Sequence, residues 1–133
     1  MMCAVDTNIL IRLIVQDDAV QLDAVKRLKQ RYARAARRLF VSTTVLLELE
    51  WVLRSRYRFG RAQVVHALGQ LIGSGEFEFE RLEAILNATR AYAASTADMA
   101  DCIHAEMAAV NGRSPLHTFD RNASMLAGAE LMR

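Results

Sequence analysis

Apolar and polar positions along this chain follow two rhythms. Short runs of bulky or β-branched residues, "MCAV" near the start and "LFVS" at 39–42, read as strands, as do the alternating "FEFE" at 77–80 and "LHTF" after the turn signal "NGRSP". Between them apolar residues recur at helical spacing over Asn8 to Val15, Asp18 to Arg38, Thr44 to Tyr57, Arg61 to Ile72, Leu82 to Ala94 and Asp98 to Asn111. Asn122 to Leu126 adds a short helical stretch, and "AELM" a weak edge strand. Strands separated by helices predict an α/β fold with a mainly parallel sheet and helices on both faces.

In such a sheet the chemistry gathers beyond the carboxyl ends of the strands. That rule singles out Asp6 and Asp120, each of which follows a short strand and precedes a helical pattern: "AVD" then "TNILIRLI", "HTFD" then "RNASML". Taken singly, each is most cheaply a helix N-cap, since an aspartate accepts a bond from the first free amides. Asp120 can also pair with Arg121.

"TTVLLELEWVLR" is apolar on nearly every side, which marks a helix packed into the domain. A carboxylate there needs a partner, but periodicity does not choose between Glu48 and Glu50, and either can pair with an arginine. In "STADMADCIHAEM", Asp98 and Asp101 stand three apart and share a face, extended by Ala105 and Ala108, opposite a core-directed stripe of Met99, Ile103, Met107 and Val110. Asp98 also reads as a first-turn acid favoured by the helix dipole, with Ser95 or Thr96 as cap.

Length and composition narrow the class. The 133 residues suit one domain, residues 1–133, with one proline, six glycines and no linker or repeat to divide it. Cys3 and Cys102 lie far apart among apolar neighbours and read as buried thiols in a reducing cytoplasm. No basic segment followed by a long apolar stretch opens the chain, and charges interrupt every apolar run, so the expectation is a soluble protein with no membrane contact.

The net charge of +2 hides an uneven distribution. Lys26 to Arg61 holds eleven basic residues against Glu48 and Glu50, a local balance of +9 that leaves the remainder at −7. A basic band beside an acidic remainder suits a surface for a polyanion next to one for a cation; a solvated arginine-rich helix face is the plainer explanation. His66, His104 and His117 show no zinc-ligand spacing, no serine sits in a nucleophile elbow, and no glycine-rich phosphate loop is present. What remains is a set of carboxylates without a covalent nucleophile, the donor type of a hard-cation site for Mg²⁺ or Mn²⁺.

"AVDTNIL", "LLELEWVL", "ADMADCIHA" and "TFDRN", in this order and spacing, resemble the PIN-domain ribonucleases, in particular the VapC toxins of toxin-antitoxin pairs. The resemblance covers essentially the whole chain. It implies a single α/β/α sandwich around a mainly parallel sheet of four or five strands, and an acidic site that binds Mg²⁺ or Mn²⁺ and hydrolyses RNA phosphodiesters to a 5′ phosphate and a 3′ hydroxyl. Carried over by motif, the metal-binding and catalytic acids are Asp6, Glu48, Asp101 and Asp120, with Asp98 as an auxiliary ligand. The resemblance thus selects Glu48 over Glu50. Asn8 and Thr118 match polar positions that orient metal, water or ligands. Arg31, Arg34, Arg37, Arg38, Arg54, Arg56 and Arg58 are the expected contacts to RNA backbone. The implied partners are a VapB-like antitoxin whose tail blocks the site, and a second copy in a homodimer. Met99 departs from the usual aromatic at its position, and the early end at "LAGAELMR" implies a short or missing final strand. A non-catalytic RNA-binding module and a phosphatase-like metal hydrolase are the competing functions.

Overall fold

A computed structural model of the chain describes residues 3–133. They form two compact units, one ending at Glu80 and the other Arg81–Arg133.

The first unit holds α1 (Thr7–Val15), α2 (Ala19–Arg34), β1 (Leu39–Val41), α3 (Thr43–Ser55), α4 (Arg61–Gly73) and β2 (Phe77–Phe79). β1 and β2 pair in parallel with Leu39 opposite Phe77 and Val41 opposite Phe79. The other edge of β1 is taken by residues 3–5: Phe40 donates its N–H to the Cys3 carbonyl and accepts from Val5 N–H, both at 3.0 Å. Ala4 therefore bridges Phe40 in parallel, and β1 lies in the middle of three lanes. Of the expected strand "MCAV", Met2 lies outside the described residues, and residues 3–5 pair through this bridge alone. Leu39, Val41, Phe77 and Phe79 are buried, as are Leu10 and Ile11 of α1 and Leu46, Leu49 and Leu53 of α3. The alternation of "FEFE" thus does what period two requires, sending both phenylalanines into the core and leaving Glu78 half-buried.

Helix starts in this unit are set by short polar side chains. Asp6, Asp18 and Ser42 accept from the backbone N–H three residues on, at 3.3, 3.0 and 3.2 Å. α2 stops at Arg34, four residues short of the expected Arg38. Ala36 turns left-handed at φ 55°, and Arg37 N–H returns to the Tyr32 carbonyl at 2.9 Å. This closes the helix where four arginines within eight positions would otherwise accumulate along it.

The second unit holds α5 (Leu82–Ala94), α6 (Met99–Val110), β3 (Leu116–Thr118), α7 (Arg121–Ser124) and β4 (Ala129–Leu131). β3 and β4 are parallel, with Leu116 opposite Ala129 and Thr118 opposite Leu131. The weak edge strand is therefore present, three residues long. Ile85 and Tyr92 of α5 are buried, with Met99, Cys102 and Ile103 of α6. The expected stripe on α6 holds at Met99 and Ile103 and fades by Val110, which is 47% exposed.

The fold is the expected α/β class with parallel strands. Among the described residues the strands are hydrogen-bonded as a parallel group of three in the first unit and a parallel pair in the second, where one sheet was expected. Strands of three residues carry few ladder bonds each. Cys102 is buried as expected, whereas Cys3, at the edge lane, is only half-buried.

Candidate active site

In the first unit the lane at residues 3–5 ends on Asp6, whose Oδ1 caps α1 through Ile9 N–H. The N-cap reading of Asp6 is correct, and it occupies one carboxylate oxygen. The residue itself remains exposed. Thr7, one step on, is buried and donates its Oγ1 hydroxyl in a short bond to Glu48 Oε1. That bond joins the first turn of α1 to the middle of α3. It separates the two glutamates that periodicity left equivalent. Glu50 is only 4% exposed and is held by Arg54 Nε at 2.8 Å, one helical turn away. Glu48 is exposed and faces a cleft of about 410 Å³ that Asp6, Thr7 and Asn8 also line.

Arg12 fixes the far end of α1. Its guanidinium donates to Gln21 Oε1 at 2.5 Å and Asp17 Oδ1 at 2.6 Å, and Tyr57 OH reaches Asp17 Oδ2 at 3.2 Å. The helix that presents Asp6, Thr7 and Asn8 is thus anchored at both ends.

In the second unit β3 ends at Thr118, and Asp120 caps α7 by accepting from Ala123 N–H at 2.9 Å. Thr118 Oγ1 accepts from Asp120 N–H at 3.0 Å, so the threonine orients the backbone that carries the acid. Asp98 is the N-cap residue of α6 but makes no capping bond through its side chain, and Ser95 instead accepts from Ala97 N–H at 3.2 Å. Asp101 lies in the first turn of α6, half-buried. Burial pushes its carboxyl above the ordinary value, Asp120 and then Asp98 push it further, and His104, 3.9 Å away, pulls it back. Asp101 is thus the acid of this unit whose ionisation is disfavoured by its surroundings.

The structure thus brings Asp6, Asn8 and Glu48 to one cleft and sets Asp98 and Asp120 within electrostatic reach of Asp101. Among the described residues no three acids, imidazoles or thiols are arranged closely enough to enclose a metal ion. The donor chemistry nonetheless fits a hard divalent ion: every candidate ligand is a carboxylate oxygen, and capping uses only one oxygen of Asp6 and of Asp120.

The arginines divide by setting. Arg54 is committed to Glu50. Arg56 lines the cleft of Asp6 and Glu48, and Arg31 lines a groove that Asp6 and Asn8 share. Arg37 and Arg38 border a cavity beside Glu76, while Arg34 and Arg58 are exposed.

Sequence reasoning missed Thr7, whose buried hydroxyl holds Glu48, although it stands beside Asp6 in "DTN". It also missed His104, for which the spacing of histidines offered no role and the i,i+3 distance from Asp101 was the signal. Among the described residues, no helix is long and apolar enough to cross a membrane.

The family model for the PIN domain matches residues 3–129, across both units. A search of curated proteins returned no match.

Proposed function

This chain belongs to the PIN domain family, typically metal-dependent nucleases, and from that premise we propose that it is an endoribonuclease that hydrolyses RNA phosphodiesters with Mg²⁺, or Mn²⁺ in its place. The observation that carries the reading is the acid set itself. Asp6 and Asp120 stand at the ends of parallel lanes, Glu48 and Asp101 on helices, and the Asp101 carboxyl is pushed up by its burial and then by Asp120 and Asp98. Two carboxylates about 4 Å apart repel by roughly 4 kcal/mol at an effective dielectric near 20, so acids gathered round one ion would need its charge.

Asp6, Glu48, Asp101 and Asp120 would hold the ion, with Asp98 as auxiliary. When bound, it lowers the pKa of water and offsets charge on the phosphate. The chain's own residues do the rest. Thr7 keeps Glu48 in one orientation, Thr118 sets the backbone of Asp120, and Asn8 offers a polar group at the mouth of the cleft. Arg31 and Arg56 hold the phosphates flanking the scissile bond, with Arg34, Arg37, Arg38 and Arg58 as a wider electrostatic surface. Water attacks phosphorus, the bond to the 3′ oxygen breaks, and the products carry a 5′ phosphate and a 3′ hydroxyl. Residues 1–133 act as one domain in this reaction.

The reading extends to biology: a cytoplasmic toxin of a type II pair, homodimeric, silenced by a VapB-like antitoxin. The four motif blocks support it. Total RNA incubated with the antitoxin-free protein in Mg²⁺ is cut to discrete fragments with 5′ phosphates, and EDTA stops the cutting. Folded, metal-supplied protein that leaves host RNA intact removes the nuclease from the account.

A further inference from the structure

Trp51 is the chain's one tryptophan, and it is not in the core. Its neighbours on α3, Leu46, Leu49 and Leu53, are fully buried, whereas Trp51 is 57% exposed. It lies one helical turn beyond Glu48, on the same face, and with Asp6, Asn8, Val52 and Arg56 it lines the cleft onto which Glu48 opens. More than half of the residue's surface is left in water beside two carboxylates and a guanidinium.

We propose that Trp51 is a stacking platform for an unpaired RNA base next to the scissile phosphate, and that Arg56 takes the phosphate of the same nucleotide. The inference rests on the ribonuclease reading and adds to it the position where the substrate is gripped. The chemistry of the cleft selects this occupant. Among the described residues no carboxylate engages the Arg56 guanidinium, so it is open to an anion. Apolar protein surface laid over Trp51 would strip water from Asp6, Glu48 and Arg56 without replacing it. A nucleotide presents a π-face to the indole and a phosphate to the arginine, and leaves the acids to water or to a cation. Stacking is tolerant of base identity, so Trp51 demands a single-stranded segment at the cut but does not by itself choose its sequence.

Because Trp51 is the sole tryptophan, it is its own probe. The full chain is mixed in Mg²⁺ with excess short unstructured RNA in a stopped-flow fluorimeter, and cleavage is sampled on the same time base. Tryptophan emission is expected to fall before product forms, with an amplitude that saturates with RNA. In steady state Trp51→Ala raises KM about tenfold while kcat stays within about twofold, and Trp51→Phe raises KM less, because a smaller ring still stacks. Cleavage with unchanged emission, or Trp51→Ala with the wild-type KM, overturns the platform and leaves the ribonuclease standing. No emission change and no cleavage with any RNA overturns both. Emission that shifts when the protein alone is concentrated, and ignores RNA, assigns Trp51 to a contact between copies and also overturns the platform.

Discussion

Residues up to Glu80 and residues 81–133 each place an aspartate where a parallel lane turns into a helix, and they treat its companion acid in opposite ways. In the first unit Asp6 caps α1, and Glu48 is exposed and tethered by the buried hydroxyl of Thr7. In the second, Asp120 caps α7, but Asp101 is half-buried and faces Asp120 and Asp98, with only His104 at 3.9 Å to oppose them. One pair is held by a hydrogen bond, the other is held against repulsion. The first arrangement fixes the orientation of its glutamate; the second leaves a half-buried acid beside like charge.

The largest effects come from the acids that the two units share as a device. Asparagine caps a helix as well as aspartate does. Asp120→Asn therefore keeps its melting temperature and loses RNA cleavage by about a hundredfold or more, equivalent to about 2.7 kcal/mol of barrier. Asp120→Ala loses the cap as well, about 1 kcal/mol of stability. Comparing cleavage rates with thermal melts of the two variants separates charge from capping; equal melting of both would deny the cap.

Next comes the tether. Thr7→Val keeps the shape of the side chain and removes the hydroxyl that orients Glu48. Cleavage is expected to fall about 10- to 100-fold, the usual range for a group that positions a ligand, with Thr7→Ser close to wild type. An unaffected Thr7→Val rate would mean that Glu48 needs no such support.

Repulsion in the second unit gives an effect of opposite sign. The folded state raises the Asp101 carboxyl above its unfolded value, so the folded state binds that proton more tightly. The stability this contributes is complete below the unfolded value and is lost as pH rises through the folded one. At neutral pH, without metal, Asp101→Asn is accordingly expected to melt higher than wild type, and the gap closes as pH falls toward 4. Mg²⁺ or Mn²⁺ raises the wild-type melting temperature more than the variant's. A metal-free Asp101→Asn that melts lower at neutral pH would show that desolvation and repulsion do not govern this acid.

The smallest catalytic effect belongs to Glu50. Held by Arg54, which is itself 46% exposed, it is a structural acid. Glu50→Gln is expected to cost about 1 kcal/mol in denaturant melts and to leave cleavage within about twofold, whereas Glu48→Gln reverses that pattern.

Local features of this fold could be read from the chain because they depend on neighbours in sequence. α5 occupies the expected Leu82–Ala94, and the capping acids Asp6 and Asp120 announce themselves by composition. Features set by distant residues could not. The bond from Thr7 to Glu48 spans 41 positions, and without it Glu48 and Glu50 look alike on a helical wheel. Asp101 is shifted chiefly by its own burial and then by Asp120, nineteen positions on. The end of α2 was missed for a local reason: Ala36 takes a left-handed turn that glycine usually marks, so no breaker stands in the sequence. Trp51 escaped notice because an aromatic in an apolar helix reads as core until its exposure is seen.

The proposal that Asp6 and Asp101 both serve the RNA hydrolysis is tested most directly by single-turnover cleavage of one RNA in Mg²⁺ by wild type, Asp6→Asn, Asp101→Asn and the double variant. Groups that act as a unit are not additive: each single variant is expected to lose nearly all cleavage with its fold intact, and the double to lose little more. A folded Asp6→Asn or Asp101→Asn that cuts RNA at the wild-type rate would contradict the account.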